Sequence, residues 1–129
     1  MYNEPMKYLS LMTWLVFAQL FVLPAYSAQL LMVEEAGCVF CKKFNKEIAP
    51  AYPNTAEGKR APLRRIDLAD GWPKDISTIE PATLTPTFIL VDNNQELGRL
   101  HGYQGDEFFW YLLGELLEKL DIETTESKP

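Results

Sequence analysis

The only two cysteines of the chain, Cys38 and Cys41, are separated by the dipeptide Val39-Phe40. A disulfide-stabilised scaffold uses several cysteine pairs spread along the chain. A bridge that closes so short a loop also removes little conformational freedom from the unfolded chain. The pair therefore indicates sulfur chemistry at a defined site, and it restricts the fold to one that presents a Cys-x-x-Cys turn.

This turn lies between a predicted strand, Gln29 to Glu34, and a predicted helix that runs from Cys38 to about Ala49. Unpaired N–H groups and the macrodipole at a helix N-terminus favour negative charge, and the thiolate is the nucleophilic form of cysteine. We therefore expect Cys38 to be the attacking thiol. Cys41 lies one turn further into the helix and is the expected resolving thiol.

The rest of the chain alternates between strand and helix patterns. The predicted strands are Pro62 to Leu68, Thr87 to Val91 and Glu96 to His101, and a final helix runs from Asp106 to about Leu120. The apolar stripe of that helix predicts these inward-facing side chains: Phe109, Leu112, Leu113, Leu116, Leu117 and Leu120. This order of elements predicts an α/β fold, with a mixed sheet of about four strands flanked by helices on both faces.

Residues 1–28 have the pattern of a signal peptide. Lys7 precedes an apolar run from Leu9 to Leu23, and Pro24 and small residues follow it. The run is shorter than the roughly 20 residues that a membrane-spanning helix needs, although a retained membrane anchor is an alternative. The sequence thus predicts export to the periplasm, a single domain over residues 29–122, and a polar tail over 123–129.

The net charge of −6 excludes the basic surface that nucleic-acid binding requires. Glu4 and Lys7 cancel, so the predicted mature domain keeps the same charge. Neither a cofactor nor a metal site is predicted, since His101 is the only histidine and no second cysteine cluster exists. We expect a monomer with one hydrophobic core.

A second motif, Thr85-Pro86-Thr87, directly precedes the strongest strand pattern of the chain. Proline is tolerated at the first position of a strand because it need not donate a hydrogen bond there. An ordinary strand-initiating proline is one interpretation. A cis Thr85–Pro86 bond is the other, and it would bring the Thr85 backbone towards the cysteines, where an extended substrate could pair with it.

These motifs together resemble the thioredoxin superfamily, in which a Cys-x-x-Cys turn, a Thr-Pro motif and a later glycine, here Gly102, occur in this order. The resemblance covers about residues 30–120. More narrowly, the chain is similar to the periplasmic thioredoxin-like SoxS regulatory proteins of bacterial sulfur (thiosulfate) oxidation. The segments that carry this similarity are Gly37–Cys41, Ala61–Asp67, Thr85–Phe88, Gly102–Gly105 and Phe108–Trp110.

The resemblance implies a minimal thioredoxin-like fold, a cis bond before Pro86, and contacts from Thr85, Pro86 and Gly102 to the backbone of a client protein. It also implies protein disulfides as substrates, with a sulfur-oxidation carrier protein among the clients, and a membrane thiol-reductant donor. Two departures stand out. Met32 replaces the buried carboxylate of thioredoxins, and Val39-Phe40 replaces their Gly-Pro, so their reduction potential does not carry over.

Three functions are compatible with these residues. The first is a periplasmic reductase of protein disulfides. The second is a dithiol oxidase that donates its disulfide to folding proteins, but the 44 residues between Cys41 and Pro86 (86 − 41 − 1) leave little room for the helical insertion of such oxidases. The third is a non-catalytic module that senses redox state or binds copper.

Overall fold

The computed structural model describes residues 28–126 of the chain. The predicted signal peptide lies outside the described residues, except for Ala28, which is the first residue of strand β1. Among residues 28–126, no helix is both long enough and apolar enough to cross a membrane.

Four strands form one mixed sheet, as the sequence predicts. Their order is β2-β1-β3-β4; β2 runs parallel to β1, and the other neighbours are antiparallel. Each strand end lies within one residue of its predicted position, because turn residues limit every strand. The strands are β1 (Ala28–Glu34), β2 (Leu63–Asp67), β3 (Thr87–Asp92) and β4 (Gln95–His101).

Three α-helices pack on one face of the sheet. They are α1 (Val39–Glu47), α2 (Ala56–Arg60) and α3 (Asp106–Glu126). Helix α3 continues past the predicted end at Leu120, so part of the predicted polar tail is helical. Leu112, predicted to face inward, is 37% exposed, because the buried stripe of α3 runs through Phe109, Leu113 and Leu117 and leaves Leu112 at its edge.

The opposite face of the sheet is covered in a different way. Leu31, Val33 and Ile89 on this face pack against Ile76 and Ile79 of the connection between β2 and β3. Only short 3-10 turns form in this connection, at Leu68–Asp70 and Lys74–Ile76, because Gly71, Pro73 and Pro81 interrupt it. Helical segments therefore flank the sheet on both faces, as predicted. The three α-helices lie on one face, and the other face is covered by 3-10 turns and irregular chain.

Aromatic contacts fix α1 against the sheet. The ring of Phe44 lies 4.7 Å from that of Phe88 on β3, 5.1 Å from Phe109 on α3 and 5.7 Å from Tyr103, measured between centroids. Such tilted and edge-to-face pairs add stabilisation beyond the burial of their area. Cys41 lies one turn before Phe44 on the same buried side of α1, so this cluster determines where the cysteines lie.

Gly58 in α2 and Gly114 in α3 provide a matched test of the packing. A Cβ atom on Gly58 would lie 1.8 Å from the carbonyl oxygen of Tyr52, whereas one on Gly114 would meet no atom within 4 Å. We expect Gly58→Ala to lower the free energy of unfolding by about 2 kcal/mol through overpacking. Gly114→Ala should raise it by about 0.5–1 kcal/mol, because alanine favours a helix.

Urea denaturation of the two variants, compared with the parent chain, measures both changes. Equal effects of the two substitutions would contradict the packing described for α2.

Candidate active site

Cys38 caps the N-terminus of α1 with its own side chain. Its backbone is extended, with φ −69° and ψ 107°, and its Sγ accepts a hydrogen bond from the Cys41 N–H at 3.1 Å. The preceding turn requires a φ of +82° at position 37, and glycine occupies it because residues with a side chain rarely adopt that conformation. The chain thus leaves β1 and enters α1 with the sulfur of Cys38 at the positive end of the helix dipole.

Cys38 and Cys41 are joined by a disulfide, and their Cα atoms are 5.2 Å apart. The two residues differ in exposure: Cys41 is 3% exposed within the apolar core, whereas Cys38 is half-buried at its edge. A protein that approaches this surface therefore meets the sulfur of Cys38 first.

The proline loop is fastened to the turn that precedes Cys38. The Thr85–Pro86 peptide bond is cis, as the resemblance implied. The Thr85 hydroxyl donates a hydrogen bond of 2.7 Å to Glu35 Oε1, and the Glu35 carbonyl accepts one from the Cys38 N–H at 3.3 Å. This contact joins residues 50 positions apart, so no local pattern in the sequence indicates it.

Gly102 adjoins the proline loop from the other side. Its N–H donates to the carbonyl oxygen of Pro86 at 2.8 Å, and its φ of +80° turns the chain away from β4. The structure therefore brings Cys38, Thr85, Pro86 and Gly102 to one end of the sheet, where Glu35 links Cys38 to Thr85 and Pro86 accepts a hydrogen bond from Gly102. All the residues singled out in the sequence as candidate site residues meet there.

Tyr103 anchors the Gly102 loop to the cysteine helix. Its hydroxyl donates a hydrogen bond of 2.5 Å to Glu47 Oε2 at the end of α1, while its ring contacts Phe44 and Phe109. Burial, and then the hydrogen bond to Glu47, raise the pKa of Tyr103 above its ordinary value. No sequence pattern indicates this role for Tyr103, because the contact depends on the packing of α1 against the loop.

Exposed apolar side chains adjoin both motifs of the site. Val39 and Phe40 follow Cys38 directly, and Leu84 precedes Thr85; all three are exposed. Contiguous apolar side chains on a surface indicate a contact for another molecule. His101 is exposed at the end of β4, and within residues 28–126 no group of three or more His, Cys, Asp or Glu side chains is placed to hold a metal ion.

A dithiol that closes into a disulfide at a helix N-terminus, with one sulfur accessible and the other buried, can exchange disulfides with other molecules. On a thioredoxin-like sheet this is the arrangement of a thiol–disulfide oxidoreductase, and the chain is an enzyme of that class.

The structure is similar to that of the periplasmic thioredoxin SoxS from Paracoccus pantotrophus in its reduced form, with a TM-score of 0.67. The two sequences are 42% identical over 72% of this chain and 98% of that one. At this identity and coverage, the chain belongs to the SoxS family of the thioredoxin superfamily.

More distant structures share the fold alone. One is the thioredoxin of Malassezia sympodialis, 16% identical over 70% of this chain and 78% of that one, with a TM-score of 0.53. Another is the reduced C-terminal domain of Neisseria meningitidis DsbD, 14% identical over 89% and 98%, with a TM-score of 0.50. No family model and no curated protein matches the chain.

The buried Tyr103 hydroxyl, hydrogen-bonded to Glu47, predicts an alkaline loss of stability. Because the pKa of Tyr103 is raised in the folded state, the resulting stabilisation is complete below the ordinary value of 10.0 and is lost as pH rises towards the folded value. We expect Tyr103→Phe to cost about 1 kcal/mol at neutral pH and to reduce the alkaline decline.

Urea denaturation between pH 7 and pH 11 measures both effects. Tyr111→Phe is the control: its hydroxyl also binds a carboxylate, that of Glu115, but the residue is exposed on α3. If both variants behaved alike at neutral pH, Tyr103 would have no anchoring role.

Proposed function

We propose that this protein is a periplasmic reductase of protein disulfides, in which Cys38 is the nucleophile and Cys41 the resolving thiol. The observation that carries the proposal is the asymmetry of the pair. Cys38 caps α1 at the edge of the core, and its Sγ accepts the N–H of Cys41, while Cys41 is 3% exposed. The same N–H and the helix dipole would stabilise a thiolate on Cys38 after reduction.

The reaction follows from these positions. The Cys38 thiolate attacks one sulfur of a client disulfide, so that a Cys38–client disulfide forms and the other client sulfur leaves as a thiolate. Cys41, as a thiolate, then attacks the Sγ of Cys38 and releases the second client thiolate. Both client thiolates take protons from water. Two electrons have passed to the client, and the protein is left with the Cys38–Cys41 disulfide seen in the structure.

The client is proposed to bind as an extended segment along Thr85, Pro86 and Gly102. Gly102 is exposed and has no side chain to obstruct a backbone, and its hydrogen bond to Pro86 keeps the two loops adjacent. The exposed Val39, Phe40 and Leu84 offer apolar contact on the cysteine side. A rim of this kind favours a protein client over a small polar disulfide.

The compartment and the partners are proposed from the sequence of residues 1–28 and from the similarity to a periplasmic thioredoxin. A signal peptide would deliver the domain to the periplasm, where a membrane thiol-reductant donor would restore the dithiol. The similarity to SoxS favours a carrier protein of sulfur oxidation among the clients.

The reduction potential of the Cys38–Cys41 pair separates this proposal from a dithiol oxidase. A reductase requires a value near that of thioredoxin, about −270 mV, whereas an oxidase of folding proteins would lie near −120 mV. We expect equilibration of the full domain with glutathione buffers to give a reduction potential closer to that of thioredoxin. A potential near that of the oxidases would reverse the proposed direction of electron flow.

A trapping experiment tests the roles of the two cysteines. We expect Cys41→Ser to accumulate Cys38–client disulfides in the exported compartment, because the resolving attack is lost. Cys38→Ser is the matched control and should trap little, since Cys41 is buried. Equal trapping by both variants would contradict the assignment, and no trapping by either would indicate a binding module without turnover.

The apolar rim predicts a selective loss of affinity for proteins. Phe40→Ser should raise KM for a reducible protein about tenfold, with kcat almost unchanged, while the rate with a small aromatic disulfide stays near that of the parent. Ile122→Ser is the control, since Ile122 is also exposed but lies about 24 Å along α3 from its start beside the Gly102 loop. If both variants changed KM equally, the rim would not be the client contact.

A further inference from the structure

Arg65 lies where strands β1 and β2 meet helix α1. Its Nη1 donates hydrogen bonds to Glu34 Oε2 at 2.9 Å and to the sulfur of Met32 at 3.5 Å, and its Nη2 donates to Asn45 Oδ1 at 2.8 Å. The side chain of Arg65 is 41% exposed and that of Glu34 22%. Arg65 thus connects strands β1 and β2 with the cysteine helix, and its Nη1 contacts the sulfur of the buried Met32.

These contacts bring a permanent cation close to Cys41. Asn45 follows Cys41 by four residues, so both lie on the same side of α1, one helical turn of about 5.4 Å apart. Met32 is fully buried and belongs to the same apolar cluster as Cys41. The guanidinium is therefore on the order of 10 Å from the Cys41 sulfur, and the Met32 side chain that it contacts belongs to the cluster that contains Cys41.

The proposed reaction requires Cys41 to become an anion in this environment. Burial in an apolar cluster opposes the charged form of a thiol. The thioether of Met32 cannot accept the proton, and it supplies no charge. Arginine keeps its charge at any pH at which the protein is folded.

We propose that Arg65 is a positioning residue that stabilises the thiolate of Cys41 and thereby speeds the release of client. The inference rests on the proposed function. The side-chain hydrogen bonds of Arg65 are to Glu34, Met32 and Asn45, not to the reacting sulfurs, so it acts through its charge, which Glu34 partly offsets. The charged or titratable groups nearest Cys41 on α1 and on the adjoining strand ends and loops are exposed or bonded elsewhere: Glu35, Lys42, Lys43, Lys46, Glu47, Asp67, His101, Tyr103 and Asp106.

Two substitutions that break the same ion pair should have opposite effects. In the reduced full chain, the NMR shift of the Cys41 Cβ against pH gives the midpoint of thiolate formation. Arg65→Met should raise this midpoint by on the order of half a pH unit, because it removes the cation and leaves Glu34 unpaired. Glu34→Gln should lower it, because it leaves the cation without its counter-charge. Arg65→Lys should remain near the parent value.

Arg64→Met is the matched control on the same strand. Arg64 forms an ion pair with Asp75, and its neighbour on β1 is Leu31, on the other face of the sheet. This substitution should not move the Cys41 midpoint. Shifts in the same direction for Arg65→Met and Glu34→Gln, or no shift in either, would overturn the inference, because a purely structural ion pair predicts one of those results.

The reduction potential gives a second readout. At a pH above the midpoint of Cys41, Arg65→Met should lower the equilibrium constant for reduction about threefold. The reduction potential should then fall by about 15 mV, since a tenfold change in that constant corresponds to 29.6 mV. Well below that midpoint the potential should not change. If the Cys41 midpoint shifts as expected but no protein disulfide is reduced, the proposed function fails and the charge assignment stands. If protein disulfides are reduced but the Cys41 midpoint does not shift, only the role of Arg65 is overturned.

Discussion

The packing of Phe44 against Phe88, Phe109 and Tyr103 is the contact on which the site depends. Because this cluster holds the middle of α1 on the sheet, the first turn of the helix projects from the edge of the core. One cysteine is therefore buried and the other is half-buried, although the two residues are only three positions apart. The chemical difference between two identical side chains arises from the position of a helix.

The remaining parts of the site are loops, and hydrogen bonds rather than burial hold them together. The Thr85 hydroxyl binds Glu35, and the Gly102 N–H binds Pro86, so the turn before Cys38 and two loops more than 45 residues later form one surface. Tyr103 then connects this surface back to α1 through Glu47. The proline loop and the Gly102 loop can therefore be exposed and still be ordered, because side chains of these loops are bonded to Glu35 and Glu47.

Most of the fold could be predicted from the sequence, because strands such as Thr87–Asp92 have strong apolar patterns between turn residues. The positions of Cys38, Pro86 and Gly102 followed from motifs. The cover of the second face could not be predicted, since Ile76 and Ile79 belong to a proline-interrupted segment without a helical period. The Glu35–Thr85 bond and the exposure of Leu112 depend on how distant elements pack, and sequence patterns record only near neighbours.

The charges around the cysteines have a consequence for the direction of the reaction. The N-terminus of α1 favours an anion on Cys38, and Arg65 favours one on Cys41, so both stabilise the reduced form over the uncharged disulfide. Stabilising the dithiol raises the reduction potential and weakens the protein as a reductant. The same charges increase the thiolate fraction of each cysteine and so accelerate both attacks. If the protein is the reductase proposed above, these charges would lower its driving force and raise its rate, and its steady activity would require a donor that keeps the pair reduced.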